Sequence, residues 1–299
     1  DDDGIRFTMG FVDRVARPAD NKVAAHELSS LANPFKTAIP SFIGAVDKGL
    51  VSVGAIAAPV FPSLVMPLAR KRLRQMVSHL VLDAEGKALN AKLTEAKEQG
   101  YQLNLNLLGE AVLGEAEAKS RLERTRQMLQ NPLVTYASIK ASSVCAQLNP
   151  WDVQGNIERL KDRLRPLYRE AMKRSPHAFI NMDMEEYKDL WLTIDLFKDL
   201  LSEEEFMPLE AGIVLQAYLP DTFDALVELA KFAKERRAKG GAKIKIRLVK
   251  GANLSMERVE AQLHDWAQAP YLSKEDVDAN YYRLMDYIFQ PEHADNVRI

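Results

Sequence analysis

Five short apolar runs alternate with helical patterns at intervals of roughly 30–45 residues in the last two-thirds of the chain. Each run ends on or just before a polar or charged residue, where the turn into the next helical pattern begins. That alternation predicts parallel strands joined by crossover helices, since parallel neighbours need a long return connection. An open doubly wound sheet would carry a glycine-rich turn after its first strand. The turn here, Leu108-Gly109-Glu110-Ala111-Val112-Leu113-Gly114, instead puts an acid and bulky side chains where a phosphate would approach. The predicted fold class is therefore α/β, a (β/α)8 TIM-like barrel preceded by a helical N-terminal region. Residues 100–299 hold five units and the start of a sixth near Asn296, so the barrel is incomplete within this chain.

Residues 1–99 are expected to form a helical N-terminal arm. Phe11, Val12 and Val15, then Ala24, Leu28 and Leu31, have the spacing of short amphipathic helices. Leu68, Leu73, Met76, Val77, Leu80 and Val81 suit a longer one. From Gly100 the expected strands are 103–107, 134–140, 179–183, 213–218 and 244–249. The helical stripes between them are Ile157–Ala171, Tyr187–Leu201, Phe223–Ala233 and Met256–Trp266. Pro166 predicts a kink in the first stripe. Asp221 is the expected N-cap of the third, and Gly240-Gly241 its stop.

Composition narrows the function classes. A formal charge of −2 gives no basic footprint for nucleic acid. The run Arg70-Lys71-Arg72-Leu73-Arg74 reads as a solvated helix face. The single cysteine, Cys145, rules out an internal disulfide framework and fits a reducing, cytoplasmic compartment. The five histidines lack metal-ligand spacing, and no metal site is expected. The start, Asp1-Asp2-Asp3-Gly4, is acidic and polar and carries no leader pattern. Residues 49–69 are uncharged, but Pro59, Pro62 and Pro67 break them, so a buried or interfacial segment is expected rather than a span.

The chemistry sits at the strand ends. In Ile244-Lys245-Ile246-Arg247-Leu248-Val249-Lys250-Gly251-Ala252, Arg247 and Lys250 lie where a parallel strand reaches the mouth of the sheet, the position at which such folds bind ligands. The other strand ends contribute Asn106 and Glu110, Lys140, Asp183 and Gln216. Such a set suits a redox site holding an anionic cofactor. It equally describes a buried ion-pair network closing the barrel top. Lys140 or Lys250 could also form a Schiff base, as in barrel aldolases.

In order and spacing, Leu105–Ala111, Ser138–Lys140, Asn181–Glu186, Val214–Tyr218 and Arg247–Ala252 resemble successive strand-end motifs of the proline dehydrogenases. They most resemble the proline dehydrogenase domain of the bacterial bifunctional proline utilisation A family. The resemblance implies a distorted barrel holding FAD at the strand C-termini. It implies oxidation of L-proline to Δ1-pyrroline-5-carboxylate by hydride transfer to flavin N5, with the flavin reoxidised by a quinone. By position, Asp183 and Arg247 would be the catalytic pair, Arg247 lying beside N5 and Asp183 orienting both Arg247 and Lys140. Lys140 would face the substrate. Met184, Gln216, Arg247, Lys250, Gly251 and Ala252 would hold the cofactor. Partners implied are L-proline, a quinone with peripheral attachment at the inner membrane, and a C-terminal aldehyde dehydrogenase domain.

Two features depart from that pattern. Asn253-Leu254 stand where better-known members have aromatic residues, and the family's later His-Asn and paired-arginine motifs do not fall within residues 1–299. Three other readings remain open: a flavin barrel of the methylenetetrahydrofolate reductase type, a Schiff-base aldolase, and a non-catalytic scaffold.

Overall fold

Alternation of apolar and polar residues in the strands decides which face of the sheet is covered. In Ile244–Val249, Ile244 and Ile246 are fully buried on one face while Lys245 and Arg247 lie half-buried on the other. The computed structural model describes residue 7 and residues 9–32, 44–77 (backbone only for 73–77), 86–107 and 112–299. The chain divides into two units, Asp1–Asp83 and Ala84–Ile299.

In the first unit a π-helical turn, Phe11–Ala16, precedes α1 (Asn21–Ala32), α2 (Ala45–Ala57) and α3 (Pro62–Val77). Their shared core is small: Ala24, Ala25, Leu28, Ala32, Ala55, Ala58 and Met66, so the helices approach closely. Two members of the basic run do more than face solvent. Arg70 donates to Asn21 Oδ1 (2.7 Å) and to the carbonyl of Pro18 (2.5 Å), and Arg72 Nε donates to Asp47 Oδ1 (2.9 Å). The apolar stretch 49–69 is split between α2 and α3, and no helix among the described residues is long and apolar enough to cross a membrane. The expected residues Leu80 and Val81 lie outside the described residues.

The second unit opens with α4 (Gly86–Glu98) and then winds through six parallel strands: β1 (Leu105–Asn106), β2 (Tyr136–Lys140), β3 (Phe179–Asp183), β4 (Ala211–Gln216), β5 (Ile244–Val249) and β6 (Val297–Arg298). Between them lie α5 (Glu115–Gln130), α6 (Val153–Met172), α7 (Leu190–Leu201), α8 (Thr222–Ala238), and α9 (Leu254–His264) with α10 (Lys274–Ile288). The strand order is 1-2-3-4-5-6, all parallel. A doubly wound sheet reverses direction at a switch point, whereas a barrel advances by one strand each time. The sheet is therefore of the barrel type, as the sequence predicts, with the sixth strand beginning where it was expected.

Ile180, Met182, Ile213 and Leu215 bury the outward face under α6, α7 and α8, whose Leu164, Leu167, Phe197, Leu200 and Leu229 are at most 1% exposed. Ser138, Asn181, Gly212 and Lys245 fall in register on the inward face. Gly212 is required there, because a Cβ would come within 2.7 Å of Asn181 Oδ1 and 2.9 Å of the Phe179 ring.

Several local expectations change. β1 is only two residues long, an edge strand paired with β2 alone. β4 stops at Gln216, although the next two amides still donate to Val249 and Lys250 carbonyls at 2.8 and 2.7 Å. α6 runs continuously through Pro166. Asp221 does not cap α8: its φ and ψ (−66°, −13°) are already helical, which turns the carboxylate away from the first amides. It accepts instead from the Tyr187 hydroxyl at 2.7 Å. Gly240 ends α8 with φ +81°, as expected.

Candidate active site

The register of β2 on β3 sets Lys140 opposite Asp183, and that of β4 on β5 sets Val214 opposite Arg247. Small Val214 leaves the space above β4 open, so Arg247 can reach across it. Its Nη2 donates to Asp183 Oδ1 at 2.8 Å. Asp183 is 8% exposed and Arg247 38% exposed, so a buried carboxylate carries a cation whose outer edge meets the mouth of the sheet. Two amides complete the carboxylate. Asn181 Nδ2 donates to Oδ1 at 2.7 Å, and Asn106 Nδ2 donates to Oδ2 at 3.1 Å. Burial pushes the Asp183 carboxyl above its ordinary range, opposed by Arg247, Ser138, Asn181 and Lys140. All of its hydrogen-bond partners are donors, so it is built to be an acceptor.

Lys140 and Asp183 stand side by side, but their side chains do not bond. The Lys140 ammonium pairs instead with Glu185 at 2.5 Å. The expectation that Asp183 orients Lys140 directly is corrected to that extent. Glu185 belongs to the turn after β3, and Gln216 fixes this turn. Gln216 Nε2 donates to the Glu185 carbonyl (2.7 Å) and lies 3.5 Å from Met184 Sδ, while its Oε1 accepts from the Ala252 amide (3.0 Å). Gln216 and Met184 are 1% and 3% exposed. The amide of Gln216 is thus spent within the protein, clamping the turn after β3 to the turn after β5.

In that second turn Gly251 has φ +145°, and a Cβ there would collide with the Tyr218 ring. Only glycine lets the backbone cross at that distance. Lys250 points away from Asp183. It is exposed and forms an ion pair with Asp278 of α10, which also takes Lys274 at 2.6 Å. Asn280 of α10 donates to the carbonyls of Ala217 (2.8 Å) and Leu219 (3.3 Å), pinning the same strand end. Glu110 lies outside the described residues. Cys145 is buried and free.

Lys140, Asp183, Met184, Glu185, Glu186 and Asp189 line one small cleft. A larger surface hollow of about 590 Å³ between α7 and α8, lined by Trp191, Asp195, Lys198 and Glu228, contains none of the strand-end groups. The cleft and the mouth above it are the candidate site. The buried polar atoms without a hydrogen-bond partner include three from the site residues: Arg247 Nε, the Tyr218 hydroxyl and Asn181 Oδ1. Half-exposed cation, unpaired donors and a glycine turn fit a flat, anionic cofactor. The two lysines are less suited to Schiff-base chemistry, since each is engaged by a carboxylate rather than set in an apolar pocket.

The family model described as proline dehydrogenase matches residues 89–299. The chain belongs to the proline dehydrogenase family. Among curated proteins it is 28% identical over 204 residues to the bifunctional protein PutA of Klebsiella aerogenes, a match covering 64% of this chain and 15% of that protein. Among solved structures it is 64% identical to proline utilization A from Corynebacterium freiburgense, covering 87% of this chain and 26% of that one, with a TM-score of 0.73. A structure of proline utilization A from Bdellovibrio bacteriovorus, inactivated by N-propargylglycine, aligns over the whole chain and 30% of its own, at 25% identity and a TM-score of 0.74. The chain thus spans less than a third of the relatives it matches. Membership of this family disfavours the aldolase, folate-reductase and scaffold readings. Asn181, Glu185 and Tyr218 are the site residues to which the sequence assigns no role of their own, whereas Asn106 belongs to the expected strand-end set.

Proposed function

We propose that the site oxidises L-proline to Δ1-pyrroline-5-carboxylate with FAD as cofactor and a quinone as final electron acceptor. The observation that carries this reading is the Asp183–Arg247 pair, which joins the ends of β3 and β5 across β4 in a proline dehydrogenase family barrel. FAD, when bound, would supply the two-electron acceptor for the hydride leaving proline C5. The chain's own residues prepare that exchange. Arg247 offers a fixed cation at the mouth, where negative charge accumulates as the cofactor is reduced. Asp183 keeps the guanidinium in place from below. Lys140, held by Glu185, presents a cation on the substrate side. Met184 supplies an apolar floor, and Gln216 shapes the cofactor side by joining the two turns rather than through a free amide. Gly251 and Ala252 bring backbone close to the cofactor, and Lys250 would serve its phosphates only by exchanging Asp278 for them.

By the same reading, the protein works at the membrane surface to meet its quinone, and an aldehyde dehydrogenase domain takes the product onward. Purified protein should carry flavin and reduce a soluble quinone only when L-proline is added. Flavin-free protein that borohydride links to a carbonyl substrate through Lys140 or Lys250 would replace this reading with the aldolase one.

A further inference from the structure

Asn181 is fully buried inside the sheet, two residues before Asp183 on the same face of β3. Its amide nitrogen reaches the one Asp183 oxygen that Arg247 also uses, at 2.7 Å against 2.8 Å. The opposite strand keeps room for it, since any side chain at Gly212 would meet its carbonyl oxygen. A buried asparagine with the sole task of filling space would not need an aligned carboxylate or a glycine cut out to receive it. We infer that Asn181 is a positioning residue, the pH-independent donor that holds the Asp183 carboxylate in the orientation required by Arg247. The inference rests on the proposed function for its catalytic consequence, though not for its geometry.

The chemistry is specific to an amide. Asn181 can turn only its NH2 toward a carboxylate, because its carbonyl would face another acceptor. Asn106 fixes the second oxygen from β1. With both oxygens held, Asp183 presents Arg247 with one geometry rather than several. The charged and titratable groups around the pair are Lys140 and Tyr136 from β2, Arg247 and Lys245 from β5, and Glu185 in the turn after β3. None of them can supply the missing donor from Asn181's position.

Asn181→Asp tests this directly, because two carboxyls in that contact must share a proton. The variant should lose turnover at neutral pH by about tenfold or more, the scale of a misplaced catalytic group. It should recover as the pH falls and the shared proton enters. Asn181→Ala should lose turnover with no recovery in acid while keeping its flavin. The same comparison can be made by thermal unfolding of flavin-free protein. There Asn181→Asp should melt well below wild type at neutral pH, with the gap closing in acid. A gap that does not change with pH, or turnover in either variant that follows the wild-type profile, overturns the assignment. If wild type itself oxidises no proline, the proposed function falls, while the unfolding comparison still decides the role of Asn181.

Discussion

Arg247 on β5 reaches over Val214 of β4 to bond Asp183 on β3, with 2.8 Å between Nη2 and Oδ1. One contact therefore spans three consecutive strands and gathers the donors Asn106 and Asn181 around the same carboxylate. The polar interior of the sheet is organised about this pair, which is the centre of the proposed oxidation site.

Replacing Arg247 with Met should weaken flavin retention and lower the flavin reduction potential, because the cation at the mouth is lost. Flavin content after gel filtration and a redox titration measure both. Wild-type values in the variant would remove Arg247 from the cofactor.

Lys140→Ala should reduce proline turnover far more than flavin content. Its ion-pair partner Glu185 is 43% exposed, so the stability lost with the pair should stay below about 1 kcal/mol. Loss of flavin in step with activity would make Lys140 a cofactor or structural residue instead.

Gly212→Ala should cost about 1–3 kcal/mol, the usual penalty for overpacking. The added methyl meets Asn181 and the ring of Phe179, which Tyr136 already holds edge-on at 4.8 Å. A urea unfolding curve indistinguishable from wild type would mean that these side chains can give way freely.

Asp189 yields a pH prediction. Burial pushes its carboxyl from 3.8 up to about 6, with repulsion from Glu186 and Glu257 adding to it and Lys188 opposing. A carboxyl raised in the folded state contributes stability that is full below its unfolded value and is lost as pH rises through the folded one. Wild type should therefore weaken between about pH 4 and pH 6, while Asp189→Asn should not. At pH 7.5 the variant should be the more stable by about 1–2 kcal/mol, and near pH 3.5 the two should melt together. Parallel melting curves across that window would contradict the assignment.

The fold was legible because strand alternation and helical stripes survive in single sequence. Arg247 and Asp183 stood out as charges terminating apolar strands. What remained hidden depends on register and on contacts between distant segments. Asn181 looks like a poor strand residue until β4 places Gly212 opposite it. Gln216 reads as a ligand-facing amide, yet Glu185 and Ala252 consume it from two different turns. Lys250 shares a motif with Arg247 but turns to Asp278, which belongs to α10, a helix the stripe pattern had not suggested. Asp221 had the residue type of a cap and the wrong backbone angles for one.

The most direct test is anaerobic mixing of the flavin-loaded protein with L-proline, following the flavin's visible absorbance in wild type and in Asp183→Ala. Wild type should bleach without any other electron donor, and Asp183→Ala should bleach about a hundredfold more slowly, as expected when a catalytic cation loses its anchor. Wild-type flavin that stays oxidised in excess proline, or a variant that bleaches at the wild-type rate, would contradict the account.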